Sequence, residues 1–367
     1  MRRKIPNTFV LMESTRYDLK FLKVASVTLV LLYLVIIAGS IVRATGSGMG
    51  CPDWPKCFGY YIPPTNPAQI EFQESHDYKK SMMIIVKDTL WLSKADFTSA
   101  KKFDYSNWEK YPVHNYAKFF VMQTWVEYVN RLIGAVNAFA LLALLLVALL
   151  RIKNDRITFF VLVAGMCVMA FVIWLGAVVV HTNLAPQKIT FHMLSSLALL
   201  GVVIFSHTRV SVLANKLVKS SVGKNIHFLL TAALLLTILQ IVFGTQVRQQ
   251  IDVINLDSGG LMRETWISKL NRIYLVHQLT AMAVVFLNGY LFFKLKRIVN
   301  DSTTKILVYG ILLVILLEYA LGVFIHNFSI PAFSQPIHLI LALLLFGIQF
   351  GLLQRTRHLQ CIIQSKL

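Results

Sequence analysis

Charged side chains are scarce in this sequence. Of its 367 residues only 14% are Asp, Glu, Lys or Arg, against 56% hydrophobic ones, which excludes the balance of a water-soluble domain and points to an integral membrane protein. Acidic residues are scarcer still, 17 against 36 Lys and Arg, giving a formal charge of +19. That excess follows topology and requires no nucleic acid, because the basic residues gather in short loops on one side. Neither a cleavable signal peptide nor an Arg/Ser-rich transit peptide is expected of "MRRKIPNTFVLMESTRYDLKF", which is short and holds Glu13 and Asp18; a bacterial inner membrane is expected rather than an organelle. Cysteine is limited to four residues. Cys167 falls in an apolar run and Cys361 in a tail, where buried or reduced thiols are the rule. Cys51 and Cys57 lie together in "GCPDWPKCFG", on the outer, oxidising side. A disulfide closing this small loop is the leading reading, with a redox-active pair as the alternative.

What is plentiful is long apolar sequence. Eight runs reach the length of a helical span, about 20 residues: 24 to 42, 129 to 150, 157 to 180, 191 to 212, 226 to 247, 273 to 293, 306 to 325 and 337 to 353. Short-loop Lys and Arg orient them. Arg2, Arg3, Lys4, Arg16, Lys20 and Lys23, the stretch "RIKNDR", Lys216, Lys219 and Lys224, "KLKR", and Arg355 with Arg357 all lie on one side, which is therefore cytoplasmic, together with both termini.

The spans repeat. "WLGAVVVHTNLAPQKITFHMLSSLALL" from Trp174 lies over "ALGVFIHNFSIPAFSQPIHLILALLLF" from Ala320, so that Gly176 precedes His192 by the same interval as Gly322 precedes His338. "GSIVRATGSG" from Gly39 resembles "GTQVRQQID" from Gly244, setting Arg43 opposite Arg248, and in the second span of each half Asn130 falls on His277. The expected fold is an all-α integral membrane protein whose eight transmembrane helices form two tandem four-helix bundles related by this repeat. The division is a cytoplasmic tail (1–23), an N-terminal half (24–212) including a long outer loop (44–128), a cytoplasmic linker (213–225), a C-terminal half (226–353) and a cytoplasmic tail (354–367). Every even-numbered span enters from outside and begins with one of Asn130, His192, His277 or His338. The polar residues thus gather at the outer end, not at the midplane broken helices of a transporter.

Coordinating residues at membrane depth are costly and mark function. His277 and His338, on two helices at similar depth, suit the two axial positions of one haem iron; interhelical hydrogen bonding is the plainer role. In the first half only His192 is present, opposite Asn130, a poor iron ligand. Such asymmetry suggests one tightly held haem and one handled differently, as a substrate would be. Glu127 precedes Asn130 by three residues and shares its helix face; it is read as a proton-handling carboxylate or an ion-pair partner of Arg131, roles that can coexist. Arg43, Arg131, Arg248 and Arg272 cluster at outer span ends, suited to clamp haem propionates or to snorkel to headgroups. Aromatics between Tyr60 and Lys118 suggest a small outer cap.

Taken together these residues resemble the heme A synthase family of cytochrome oxidase assembly proteins. The resemblance rests on "GSIVRATGSGMGCPDWPKCFG", "WVEYVNRLIGA", "LGAVVVHTNLAP" with "FHM", "VHQLTA" and "QPIHLILA". It implies haem b held by His277 and His338, a site for haem O in the N-terminal half with Glu127 and His192 as functional residues, oxidation of the C8 methyl of haem O to the formyl of haem A, and an outer Cys51–Cys57 disulfide. It also implies as partners a haem O synthase, cytochrome oxidase subunits and an electron donor that the sequence does not identify; a homo-oligomer is left open. Two features depart from the family pattern. Its second-span Glu-x-x-His is Glu127-x-x-Asn130 here, and the cysteine pair that some members carry in the second half is absent. An iron ligated by His192 alone keeps an open position, lined by Asn130, for dioxygen. The rival readings are an electron-transfer cytochrome b and a haem carrier or assembly factor without catalysis.

Overall fold

The computed structural model describes residues 8–115, 117–214, 222–299 and 301–364. Arg2, Arg3, Lys4, Lys216 and Lys219, used above to orient the chain, lie outside them, as does the side chain of Cys361. Among the described residues eight helices are long and apolar enough to cross a membrane: α1 (Thr8–Ala44), α2 (Val121–Leu150), α3 (Arg156–His181), α4 (Pro186–Ala214), α5 (Lys224–Asp257), α6 (Arg272–Leu295), α7 (Ser302–Asn327) and α8 (Ser334–Gln364). Spanning helices are what this composition dictates, because lipid offers the backbone no partners and a helix satisfies its own. The chain is an all-α integral membrane protein apart from a small β-structured insertion between α1 and α2.

The helices run beyond the apolar stretches that announce them, because polar residues at their ends find protein partners. Asn271 caps α6, accepting the Ile273 N–H at 2.8 Å, and Asp301 caps α7, accepting the Thr304 N–H at 3.2 Å, each satisfying an amide that the helix start leaves open. Arg355 of α8 donates to Asp301 at 2.9 Å. Arg151 donates to Asp18 at 2.7 Å and Arg209 to Asp155 at 3.1 Å. These pairs lie at the ends of spans that the basic loops assign to the cytoplasm. α2 begins at Val121, two turns before the apolar run at 129, so Glu127 is helical rather than part of the loop.

The chain divides into two compact units, Met1–Leu32 with Ala138–Val168 and Ser196–Leu367, and Tyr33–Asn137 with Met169–Ser195. In the first, α5 packs on α6 and α8, and α7 packs on the same two, closing a four-helix arrangement. Helices approach closely where glycine removes the side chain: a Cβ on Gly201 would lie 3.8 Å from Phe350, and one on Gly351 3.7 Å from Ile204, the small-residue packing that membrane helices use. Gln349 donates to Asn288 at 2.8 Å with both side chains buried.

The second unit carries the cap. Strands β1 (Asp77–Tyr78) and β4 (Phe97–Thr98) pair antiparallel, and β2 (Met83–Val86), β3 (Thr89–Ser93) and β5 (Trp108–Lys110) form a three-stranded antiparallel sheet in that order. The β2–β3 hairpin closes through Lys87 and Asp88, both at positive φ (50° and 54°) between the paired Val86 and Thr89, the left-handed combination that matches strand twist in a two-residue turn. Its aromatics fill a core of Tyr78, Ile84 and Trp108, packed by Phe72, Trp91, Phe97 and Phe103. Burial of rings makes so small a β structure viable.

Candidate functional site

Four times a glycine of an odd-numbered helix lies against the polar residue of an even-numbered one. A Cβ on Gly39 would lie 3.7 Å from Asn130 Oδ1; one on Gly176, 3.5 Å from His192 Cε1; one on Gly244, 3.3 Å from His277 Cε1; one on Gly322, 3.5 Å from His338 Cε1. The residues aligned in sequence by the repeat therefore occupy matching local settings. Each glycine leaves a cradle that a methyl group would fill, and each cradle holds a group able to coordinate or to hydrogen-bond.

His277 of α6 and His338 of α8 face each other with ring centroids 6.4 Å apart and planes at 78°. Two imidazoles binding one metal from opposite sides have ring centres roughly 6 Å apart, with metal–nitrogen bonds of about 2 Å and about 1 Å more to each ring centre. His277 Nδ1 is buried and has no hydrogen-bond partner among the described residues, an orphan that calls for an explanation. No group of three or more His, Cys, Asp or Glu suited to a bare ion occurs among the described residues. The pair thus fits a metal that brings its remaining ligands with it, as haem iron does.

Three residues that the sequence reading passed over surround this pair. Gln240 of α5 donates its amide to the His277 carbonyl at 3.0 Å and lies 3.4 Å from its Nε2. Thr280 donates its hydroxyl to the Gln240 carbonyl. Glu318 of α7 places Oε2 3.2 Å from His338 Nδ1. The sequence signal was available: Glu318 is a lone carboxylate in "LLVILLEYALG", and an ionisable residue inside a span is a functional candidate by default.

Glu127, in contrast, is enclosed by the disulfide loop. Cys51 and Cys57 are bonded. The Cys51 N–H donates to Glu127 Oε2 at 2.8 Å, and Arg131 donates to Glu127 Oε1 at 2.5 Å. Arg131 further donates to the carbonyls of Asp53 (2.8 Å), Lys56 (2.9 Å) and Cys51 (3.2 Å). Its guanidinium is committed to the loop and to Glu127, which competes with the propionate-clamping role read from sequence. Gly50 makes this approach feasible, since a Cβ there would lie 2.5 Å from the Gln123 carbonyl of α2. Asp53 accepts the Phe58 and Gly59 N–H groups at 2.6 and 2.9 Å. Burial pushes the Asp53 carboxyl up, against the pull of those two amides and of Arg131. Burial, with Asp53 nearby, also pushes the Tyr111 hydroxyl up to about 12.

The other arginines belong to three different helices. Arg43 ends α1, Arg248 pairs with Asp252 one turn on at 2.8 Å, and Arg272 is exposed in the first turn of α6. His181 ends α3, and His326 of α7 meets the Tyr274 hydroxyl at 2.7 Å, an interfacial packing role.

Fold and site define a multi-pass membrane protein of long helices, in which an amide and three imidazoles each lie in a cradle left by a glycine of another helix. More specifically, the chain belongs to the family described as cytochrome oxidase assembly protein, which it matches over residues 23–107 and 92–350. Among curated relatives, it is similar to the heme A synthase of Shewanella oneidensis, 41% identical over 49 residues, 13% of this chain and 15% of the relative. It is also similar to the heme A synthase of Bacillus pumilus, 41% identical over 56 residues, 15% and 18% of the two chains, and to that of Staphylococcus saprophyticus, 35% identical over 79 residues, 21% and 25%. These alignments span a quarter or less of the relatives' own lengths.

Proposed function

We propose that this protein is a heme A synthase, a membrane-bound oxidoreductase that converts the C8 methyl of haem O to a formyl group, giving haem A for cytochrome oxidase. The observation that carries the reading is the opposition of His277 and His338 at 6.4 Å in a chain of this family. In this reading the C-terminal half (226–353) holds haem b through those two histidines, and the N-terminal half (24–212) receives haem O. Haem b, when bound, supplies one-electron transfer for a methyl-to-aldehyde oxidation that removes four electrons.

The chain's own residues divide the remaining work. In this reading His192 would ligate the substrate's iron, and Asn130, whose Oδ1 is buried without a hydrogen-bond partner among the described residues, would line the open side of that site. Glu127 handles protons while Arg131 and the Cys51 amide hold it in place. Arg43, Arg248 and Arg272, at outer span ends, are the propionate-binding candidates. The membrane is a bacterial cytoplasmic membrane with both termini inside, and the partners are a haem O synthase, the oxidase and an electron donor. Asn130 favours this reading over a cytochrome b with two equivalent haems, because such haems would share one ligand set.

Co-expression with a haem O synthase in a host that makes no haem A tests it, by acid-acetone extraction and chromatography of the haems. Haem A above the empty-vector level is expected, and it disappears in His192→Ala while haem b stays bound. Haem b alone, with haem O present and the protein folded, would transfer the chain to the cytochrome or carrier reading.

A further inference from the structure

Gln240 and Glu318 stand in equivalent places, each four residues before the glycine that cradles a histidine, Gly244 for His277 and Gly322 for His338. Four residues before Gly39 and Gly176, the positions are Val35 and Val172. The polar partner is therefore present at both histidines of the second half and replaced by a branched apolar side chain at both positions of the first. Glu318 Oε2 and His338 Nδ1 lie 3.2 Å apart, within ion-pair distance, and both are buried atoms without a hydrogen bond among the described residues, so each is the nearest charge partner the other has. A carboxylate is expensive inside a span, and α7 keeps this one facing an imidazole.

We propose that Glu318 is a positioning residue for His338: by taking up the Nδ1 proton side of the ring it turns Nε2 toward the metal, makes the imidazole a stronger donor, and thereby holds the haem of the second half tightly and at a lowered reduction potential. The inference rests on the reading that His277 and His338 share a haem. A partner on the far nitrogen of a ligating histidine fixes its tautomer and raises its basicity, and a more basic axial ligand favours the oxidised iron. In the corresponding place Val172 engages His192 through its backbone and not through a side-chain carboxylate, a neutral partner that suits a haem that must arrive, react and leave.

The test uses the full-length protein purified with its haem in detergent, scored by visible spectrum, reductive potentiometry and haem loss to excess apomyoglobin. Glu318→Leu is expected to keep the helical content, raise the midpoint potential and accelerate haem loss by about 10- to 100-fold. Glu318→Gln, which keeps a carbonyl acceptor without the charge, falls between Leu and the parent. Should the Leu variant fail to fold, Gln decides: a raised potential supports the proposal and an unchanged one overturns it. An unchanged potential and haem-loss rate in Glu318→Leu, while His338→Ala abolishes the low-spin spectrum, overturns the role of Glu318 and leaves the ligation reading standing. A low-spin spectrum that survives His338→Ala removes the ligation reading, and this proposal with it.

Discussion

The two pairs of glycine-cradled residues, Asn130 with His192 and His277 with His338, use the same local arrangement for different electrostatics. In the second half two imidazoles face each other across 6.4 Å, supported by an amide and a carboxylate from neighbouring helices. In the first half the corresponding pair is one amide and one imidazole, the flanking positions are valines, and the charge has moved to Glu127 and Arg131, where a folded loop engages it. The contrast teaches that a repeat conserves geometry, here a glycine opposite a polar group, more strictly than chemistry. On the function proposed above, the His277 and His338 pair holds a group in place, and the Asn130 and His192 pair leaves coordination unfinished with a fixed carboxylate close by in sequence.

The largest effect should come from making the halves alike. Asn130→His restores the second-span Glu-x-x-His of the family pattern and makes the two pairs alike, and tightly bound haem per purified chain is expected to rise, with haem A formation rising beside it. Haem content by pyridine haemochromogen, read beside extracted haem A, would break the comparison if neither changed. Next in size is Arg131→Ala, which strands a buried carboxylate and several loop carbonyls; losing one partner of a buried pair costs about 3–5 kcal/mol. Thermal unfolding in detergent should show that loss while the low-spin spectrum of the second half survives until the transition. Smaller is Cys57→Ser, which opens the loop and should lower stability by about 2 kcal/mol; limited proteolysis between residues 51 and 57 is expected to accelerate, with the haem spectrum unchanged.

Much of the molecule was legible in sequence. The spans were, because lipid leaves a chain of this composition one regular solution, and so was the i,i+4 pairing of Glu127 with Arg131. The cap was legible only as a cluster of aromatics, since strands as short as Asp77–Tyr78 carry no periodicity and the hairpin turns on Lys87 and Asp88 without the usual glycine or asparagine. The second role of Glu127 was hidden because its partner is a backbone amide 76 residues away, and an amide leaves no trace in composition. Glu318 was visible but stood outside the aligned motifs; comparing the position four before each glycine would have found it.

The bonds around Glu127 also bear on how the protein is made. The ribosome delivers Gly50, Cys51, Asp53 and Lys56 before it delivers α2, so the amides and carbonyls that receive Glu127 and Arg131 are already synthesised when those residues emerge. The carboxylate and the guanidinium at the start of α2 therefore never need to wait for partners made later, and each bond they form lowers the cost of carrying two charges at the end of an apolar span.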